Sequence, residues 1–356
     1  MERRSASSPT NQAGGRPFPL RGRLLGLPTL VSFALAVAFI VFLLTRFDID
    51  VAGTWRLVTE SRPGLFVLAL ALYYLTFPLR GYRWRLLMAN AGAFEGATRP
   101  PPSLRLFSET ILLSWFVNSI SWFRLGDAYR AYLVADRAGS SFSRSIGTVA
   151  AERVLDIVVV FVLLLWAGIG LLRSEEAGGV ARGVVLAATV LAVLVLMALL
   201  GMRRFGERVA RFLPGRAQPV YRRFQEGALG SFRQVPLLAL LTVAIWLLEA
   251  ARLYFVVQAL QLEVGLSLVL FAALAHSLLT TIPLTPGGLG FVELGLTGLL
   301  ALSLPRHEAV GVTLLDRSIT YVSIVVLGGA LFVARQAIDL RARMATRSGR
   351  SPRLLS

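Results

Sequence analysis

Long apolar runs separated by short Arg-rich polar segments dominate this chain. A helix rising about 1.5 Å per residue crosses a hydrocarbon layer of about 30 Å in about 20 residues. On that measure spans fall at about 24–45, 63–80, 147–172, 180–202, 236–258 and 309–334. Two further apolar segments, 104–123 and 267–304, do not read as simple spans. The second holds TIPLTPGGLGFVE, Thr281 to Glu293, where Pro283 and Pro286 remove backbone donors and Gly287, Gly288 and Gly290 loosen the turn. Glu293 adds a carboxylate just past the break. A break at membrane depth is tolerated where the freed backbone groups are buried in protein or line a wet cavity. A Pro/Gly loop at the membrane surface is the alternative. The expected fold is an all-α polytopic membrane protein with about six full spans plus two re-entrant or broken segments, in two inverted repeats.

Composition agrees. Of 356 residues 55% are hydrophobic and only 16% charged, and the mean hydropathy is +0.67. Those values exclude a soluble enzyme. The formal charge of +17 does not imply nucleic acid, because the Arg residues cluster between apolar runs, as topology signals do. The chain has no Lys and no Cys, so a disulfide framework, a thiolate metal site and a cysteine nucleophile are excluded. With only His276 and His307 present, neither a zinc site nor a cofactor is expected. Residues 1–23 read as a disordered basic segment and 341–356 as a basic tail. The first apolar run ends in Arg46 without a small-residue cleavage site, which makes it a span or an uncleaved anchor.

Basic segments orient the spans. The N-terminus, the stretch with Arg80, Arg83, Arg85 and Arg99, the linker 203–235 and the tail should all be cytoplasmic. Residues 124–144, with Arg124, Arg130, Arg137 and Arg144, should be inside as well, so 104–123 enters and leaves on one side as a re-entrant hairpin. By the same logic 267–304 begins and ends outside, either as a second hairpin or as two short crossings. An internal repeat supports this. At an offset of 164, Leu125-Gly126 falls on Leu289-Gly290, Gly147 on Gly311, and Glu152-Arg153 on Asp316-Arg317. The units are roughly 63–172 and 236–334, within a membrane domain of 24–340. The linker between them forms either amphipathic helices on an anionic leaflet or an ordinary positive-inside loop.

Ionisable groups inside spans cost about 2.5–3.5 kcal/mol each on insertion scales, so each needs a reason. Glu152 and Asp156 share a helix face, and Arg153 and Asp156 are spaced to pair. Glu249 and Arg252 are three apart and reach either each other or the opposite unit. Asp316 and Arg317 are adjacent, with Tyr321 one turn on. An interfacial salt bridge is the bland reading of the first group, and a hydrogen-bonded structural residue is that of His276. Glu109 and Asn118 are polar groups that a lipid-facing helix would not carry, and Asn118 is placed to satisfy broken backbone. Arg153 and Arg317, related by a pseudo-two-fold axis, suit a phosphate or carboxylate head group held bidentately. Helix N-termini at the breaks would add positive charge.

Two stretches carry a family resemblance. RLGDAYRAYLVADRAGSSFSRSIGTVAAERVLD resembles a pattern R-L-G-[DE]-x-x-R-A-Y followed by an E-R-x-x-D helix. IPLTPGGLGFVE followed by LLDRSITY resembles P-x-x-P-G-G-x-G-x-x-E and then [DY]-R-x-x-x-Y. The family is the lysylphosphatidylglycerol synthase transmembrane region, or flippase-like domain, and the resemblance covers about 25–340. It implies that Arg124, Gly126, Asp127, Arg130, Glu152, Arg153 and Asp156 occupy characteristic positions. It implies the same for Pro283, Pro286, Gly287, Gly288, Gly290, Glu293 and Arg317. One departure is Ser121-Trp122-Phe123 where a Pro is expected before the first motif. In full synthases such a domain is thought to flip the aminoacylated lipid that a separate soluble domain makes. The residues after the last span are too few for that domain, so aminoacyl transfer is not expected.

The leading expectation is a bacterial inner-membrane flippase or transporter of a polar or phosphate-bearing lipid, with both termini cytoplasmic and Arg153, Arg317 and Glu293 lining the path. The alternatives are a membrane scaffold for a lipid-modifying or glycosylating enzyme, alone or as a homo-oligomer, and an intramembrane transferase. Against the transferase, the sequence has no acidic metal-binding cluster on a loop, no Ser/His pair at useful spacing and no His-rich motif. Without Lys there is no phosphate-binding loop for ATP. Proton coupling through Glu293, Asp156 or His276 and downhill scrambling both stay open.

Overall fold

The computed structural model describes residues 51–95, 100–172, 178–281 and 285–347. The expected span at 24–45, the segment 1–23, Pro283 and the end of the tail lie outside the described residues. All regular elements among the described residues are helices. The first unit comprises α1 (Val51–Thr59), α2 (Pro63–Asn90), α3 (Leu104–Ile120), α4 (Leu125–Ala138) and α5 (Phe142–Leu171). The helices α6 (Gly178–Phe212) and α7 (Gln218–Gly230) join it to the second unit. That unit has α8 (Val235–Ala259), α9 (Leu266–Thr281), a 3-10 turn Pro286–Gly288, α10 (Phe291–Leu300) and α11 (Arg306–Arg317). Two π turns, Ser318–Val322 and Ile324–Gly328, carry α11 into α12 (Gly329–Arg347). Proline in the first turn starts α2, α7 and α8, where a missing N–H costs nothing. The Ser103 hydroxyl caps α3 by accepting from the Leu106 N–H at 3.3 Å.

The two units run in opposite directions. The helix α8 lies along α2 in the most extensive helix pairing of the bundle. At one end the Arg62 N–H, just before α2, donates to the Ala259 carbonyl at the end of α8 at 2.8 Å. At the other end Asn90 Nδ2, closing α2, donates to the Ser231 carbonyl before α8 at 3.0 Å. That second end also gathers the start of α5 and the linker, because Arg144 bonds the Gly92 carbonyl (3.1 Å) and Glu226 (2.5 Å). Thus α3 enters from the Asn90 end and α4 returns to it. Likewise α9 enters from the Ala259 end and α10 returns to it, where Thr54 of α1 donates to the His307 carbonyl at 3.2 Å. The segment 267–304 is therefore a helical hairpin that begins and ends at one end of the bundle, as both of its readings require.

Among the described residues, four helices are long and apolar enough to cross a membrane: Pro63–Asn90, Gly178–Phe212, Val235–Ala259 and Arg306–Ile338. The helix α5 has the length, at 30 residues, but carries Glu152, Arg153 and Asp156. On α6, Leu186, Leu194, Met197 and Leu200 are each about 60% exposed, the outward apolar face that lipid requires.

Two expectations need correction. The span read as 63–80 continues to Asn90, so Arg80 and Arg83 are not loop residues; they are 3% and 0% exposed inside the bundle. Arg130 is likewise buried. A guanidinium neutralised by carboxylates does not act as a topology signal, and counting Arg alone does not distinguish the two situations. Of its two readings the linker takes the helical one, since α6 continues to Phe212 and α7 packs on α5. There Gly147 and Gly227 let the backbones touch, and a Cβ on Gly147 would collide with the Phe224 carbonyl oxygen. We therefore expect Gly147→Ala to lower the melting temperature in detergent, by overpacking worth about 1–3 kcal/mol. Gly183→Ala, in a helical position with nothing within 4 Å of its Cβ, should not lower it and should raise it slightly through helix propensity.

Candidate functional site

Both hairpins break at their tips, by different means. In the first, Ser121 to Arg124 form the turn, with Phe123 and Arg124 at φ 57° and 51°. No Pro is needed: two non-glycine residues in the left-handed region make the turn, a conformation that costs about 1–3 kcal/mol each. The Asn118 side-chain oxygen accepts the Gly126 N–H at 2.8 Å, which satisfies the broken backbone as expected from the sequence. Gly126 is obligatory because a Cβ would collide with the Ser114 carbonyl. In the second hairpin Gly287, Gly288 and Gly290 hold φ of 60°, 72° and 89°, and the Gly290 N–H donates to Glu293 Oε2 at 2.6 Å.

The two tips meet. Arg124 of the first hairpin donates to the Thr280 carbonyl at the end of α9 (2.8 Å). Reciprocally, Tyr321 of the second unit donates to the Ser119 carbonyl at the end of α3 (3.2 Å). Each unit thus satisfies an orphan C-terminal carbonyl of the other's broken helix. Gly287 lies where they touch, and a Cβ there would come within 2.6 Å of the Tyr321 ring.

Around the tips the ionisable groups form three clusters. In the first, Arg83 bridges Asp156 (2.7 Å) and Glu152 (3.2 Å), and Arg130 bridges Glu152 (2.9 Å) and Asp127 (3.3 Å). Arg124 joins it through Asp127 at 3.1 Å. Arg153 joins through Asp127 (3.3 Å), Asp156 (3.6 Å) and Glu152 (3.9 Å). In the second cluster Glu249 binds Arg80 (2.9 Å) and Arg252 (3.2 Å), Arg252 pairs with Asp316, and His276 Nδ1 lies 3.9 Å from Asp316. The third cluster is Arg317 with Glu293 at 2.7 Å. Its guanidinium also donates to the Gly287 carbonyl (3.1 Å) and lies 4.9 Å over the Tyr321 ring. Aromatic rings shield the centre: Arg80 sits between Trp115 (5.0 Å) and Trp246 (5.3 Å), and Arg130 lies over Trp84 (4.7 Å).

A cavity of about 130 Å³ opens where the tips and these clusters face each other. That is room for several waters. Arg80, Arg124, Arg153, Arg252 and Arg317 line it, with Asp156, Glu249, Tyr321, Gly287 and Gly288 from the expected set. His276 and Asn118 line it too. Asp127, Arg130, Glu152, Glu293 and Asp316 do not; the four acids stand behind the lining and hold its guanidiniums, and Arg130 bridges Asp127 and Glu152. Glu293 in particular was expected on the path, but it caps α10 and binds Arg317. The helix N-termini also contribute less than expected, because Asp127 and Glu293 occupy the first turns of α4 and α10 and neutralise them. Pro286 is buried and Gly290 serves as the cap of α10. Glu109 pairs with Arg105 and Arg335 away from the cavity. Among the described residues no group of His and acidic side chains is placed to hold a metal.

Sequence reasoning missed Arg80, Arg83, Trp115 and Trp246. One signal was available: Arg80 and Glu249 are 169 residues apart, and so are Arg83 and Arg252. At that offset the two first helices carry matching ionisable pairs with the same three-residue spacing.

A known membrane family matches the chain over residues 29–328, a range that includes both tips. The chain belongs to the lysylphosphatidylglycerol synthase TM region family. A UPF0104 membrane protein of Methanocaldococcus jannaschii is 31% identical over 223 residues, which cover 61% of this chain and 93% of that protein. A UPF0104 membrane protein of Pyrococcus horikoshii is 22% identical, covering 80% of this chain and 91% of that one. The glycosyltransferase AglD of Haloferax volcanii is 25% identical over 352 residues, covering 87% of this chain but only 55% of the glycosyltransferase. These relatives are archaeal, so the bacterial expectation does not follow from them.

The clusters make a stability prediction. Arg83→Met leaves Glu152 and Asp156 without their innermost partner, a change worth about 3–5 kcal/mol for a buried pair. It should lower the detergent melting temperature far more than Arg105→Ala, whose guanidinium side chain is 88% exposed. Equal effects would mean that the buried pairs do not hold the bundle.

Proposed function

We propose that this protein moves a lipid with an anionic head group across a cytoplasmic membrane through the cavity at the two tips, with both chain termini on the cytoplasmic side. The observation that carries this reading is a cavity lined by five guanidiniums drawn from both oppositely running units, inside an otherwise apolar bundle. Guanidinium binds phosphate oxygens bidentately, and a buried, ring-shielded site strengthens that attraction. Two hairpins entering from opposite ends give each side of the membrane one broken segment that reaches the same cavity, as alternating or shared access requires. The acyl chains need no protein path; they remain in the bilayer along the apolar exterior.

The likeness to a protein named a glycosyltransferase favours a second reading, in which this chain is the membrane partner of an enzyme acting on glycosyl groups carried by lipid. In that case the cavity holds the lipid and does not move it. Reconstitution separates the two. In proteoliposomes with fluorescent phosphatidylglycerol, lysyl-phosphatidylglycerol and a polyprenyl phosphate, wild type should translocate one of them. Arg153→Ala and Arg317→Ala should slow that movement about tenfold or more, the loss of roughly one charge-assisted contact of about 1.4 kcal/mol. If folded protein moves none of them, the transport reading fails and a co-purified enzyme becomes the object of search.

A further inference from the structure

We propose that the cavity is a one-charge site: it takes a single monoanionic phosphodiester, held on Arg153, and selects its lipid by that charge match. The inference rests on the reading that an anionic head enters this cavity, and adds which anion and which residue.

Counted over the described residues, with His neutral as in the formal charge of the chain, the three clusters do not all balance. The second cluster has Arg80 and Arg252 against Glu249 and Asp316, and the third has Arg317 against Glu293, so both are neutral. The first cluster sets four guanidiniums, Arg83, Arg124, Arg130 and Arg153, against three carboxylates. One positive charge is left over. A buried charge without a partner costs several kcal/mol, so this site is complete only with one negative charge added.

The geometry says where the excess lies. Arg83 and Arg130 are 0% and 2% exposed and held at 2.7–3.3 Å by carboxylates. Arg124 is tied to Asp127 and to the Thr280 carbonyl. Arg153 is different. Its contacts stretch from 3.3 to 3.6 and 3.9 Å, and its side chain is 25% exposed where it lines the cavity. Its buried Nε has no hydrogen-bond partner; Arg83 and Arg130 carry unpartnered nitrogens as well, but neither lines the cavity. A phosphodiester brings one charge and two free oxygens that match such a fork. A phosphomonoester brings about −1.5 to −2 at neutral pH and would overfill the site. A zwitterionic head would carry a cation in among five guanidiniums.

The test is equilibrium binding to the detergent-purified protein by titration calorimetry. Its probes are dihexanoyl phosphatidylglycerol, phosphatidic acid and phosphatidylcholine, with dimethyl phosphate as the soluble diester. We expect phosphatidylglycerol to bind about tenfold or more tighter than phosphatidic acid, and phosphatidylcholine not to bind. Arg153→Gln should abolish that preference, and Glu249→Gln, which adds a second net positive charge beside the cavity, should turn it toward phosphatidic acid. If Arg153→Gln does not fold, Arg153→Lys should weaken binding yet keep the diester ahead of the monoester. Phosphatidic acid binding as tightly as phosphatidylglycerol to wild type, or an unchanged preference in folded Arg153→Gln and Glu249→Gln, overturns the inference. Dimethyl phosphate binding as tightly as the lipid upholds the one-charge site and counts against a lipid head as its source. Translocation without charge preference removes this inference and leaves transport standing, while preference without translocation does the reverse.

Discussion

Burying a guanidinium in an apolar bundle is tolerable only beside a carboxylate, and that constraint organises the whole molecule. Among the described residues seven Arg side chains face the interior in ion pairs, and six acids on five helices meet them. Because Arg83 with Glu152 and Asp156, Arg80 with Glu249, and Arg252 with Asp316 join helices distant in sequence, satisfying these charges fixes how α2, α5, α8 and α11 sit against one another. Replacing the pairs by apolar residues would be no worse for stability in principle. Their presence in this pattern, around a cavity, speaks for a site and against mere scaffolding.

The two units solve the same problem with one difference in sign. Arg83 in the first and Arg252 in the second occupy matching places, each binding an acid on the unit's last helix, α5 or α11. Arg153 and Arg317 match as well, each reaching the acid in the first turn behind its own break. At the remaining place the first unit has Arg80 and the second has Glu249, and these two bind each other across the pseudo-two-fold axis. Two identical charges there would repel at the centre of the bundle. The substitution of one sign turns the point of closest approach into a link between the units.

The sequence carried much of this. Hydropathy and the Arg segments gave the helical class, and the Pro/Gly stretch marked the second break, because Pro and Gly act locally. The offset of 164 rightly paired Arg153 with Arg317, and Asn118 was rightly matched to the broken backbone it serves. What stayed hidden depended on tertiary partners. Arg80 and Arg83 read as a basic loop because nothing local tells a neutralised buried guanidinium from a solvated one. Glu293 read as a path residue because its role as cap and partner of Arg317 exists only once α10 and α11 are side by side. The first break lacked its expected Pro, and the turn at Phe123 and Arg124 has no residue-type signature at all.

The same ledger of contacts says which parts can move. The helices α2, α5, α8 and α11 are tied by buried ion pairs, each worth several kcal/mol to break. The first tip is tied to the second unit by two hydrogen bonds to carbonyls, Arg124 to Thr280 at the end of α9 and Tyr321, past α11, to Ser119, each worth about 0.5–3 kcal/mol. One tip moreover stores strain in two left-handed non-glycine residues, and the other turns on glycines that change conformation at little cost. A movement that parts the tips therefore breaks these weak links, while Arg130–Glu152, Asp127–Arg153 and Glu293–Arg317 keep α4 and α10 on the frame. Arg153 belongs to that frame, on α5, so a charge resting on it would stay centred while the tips part.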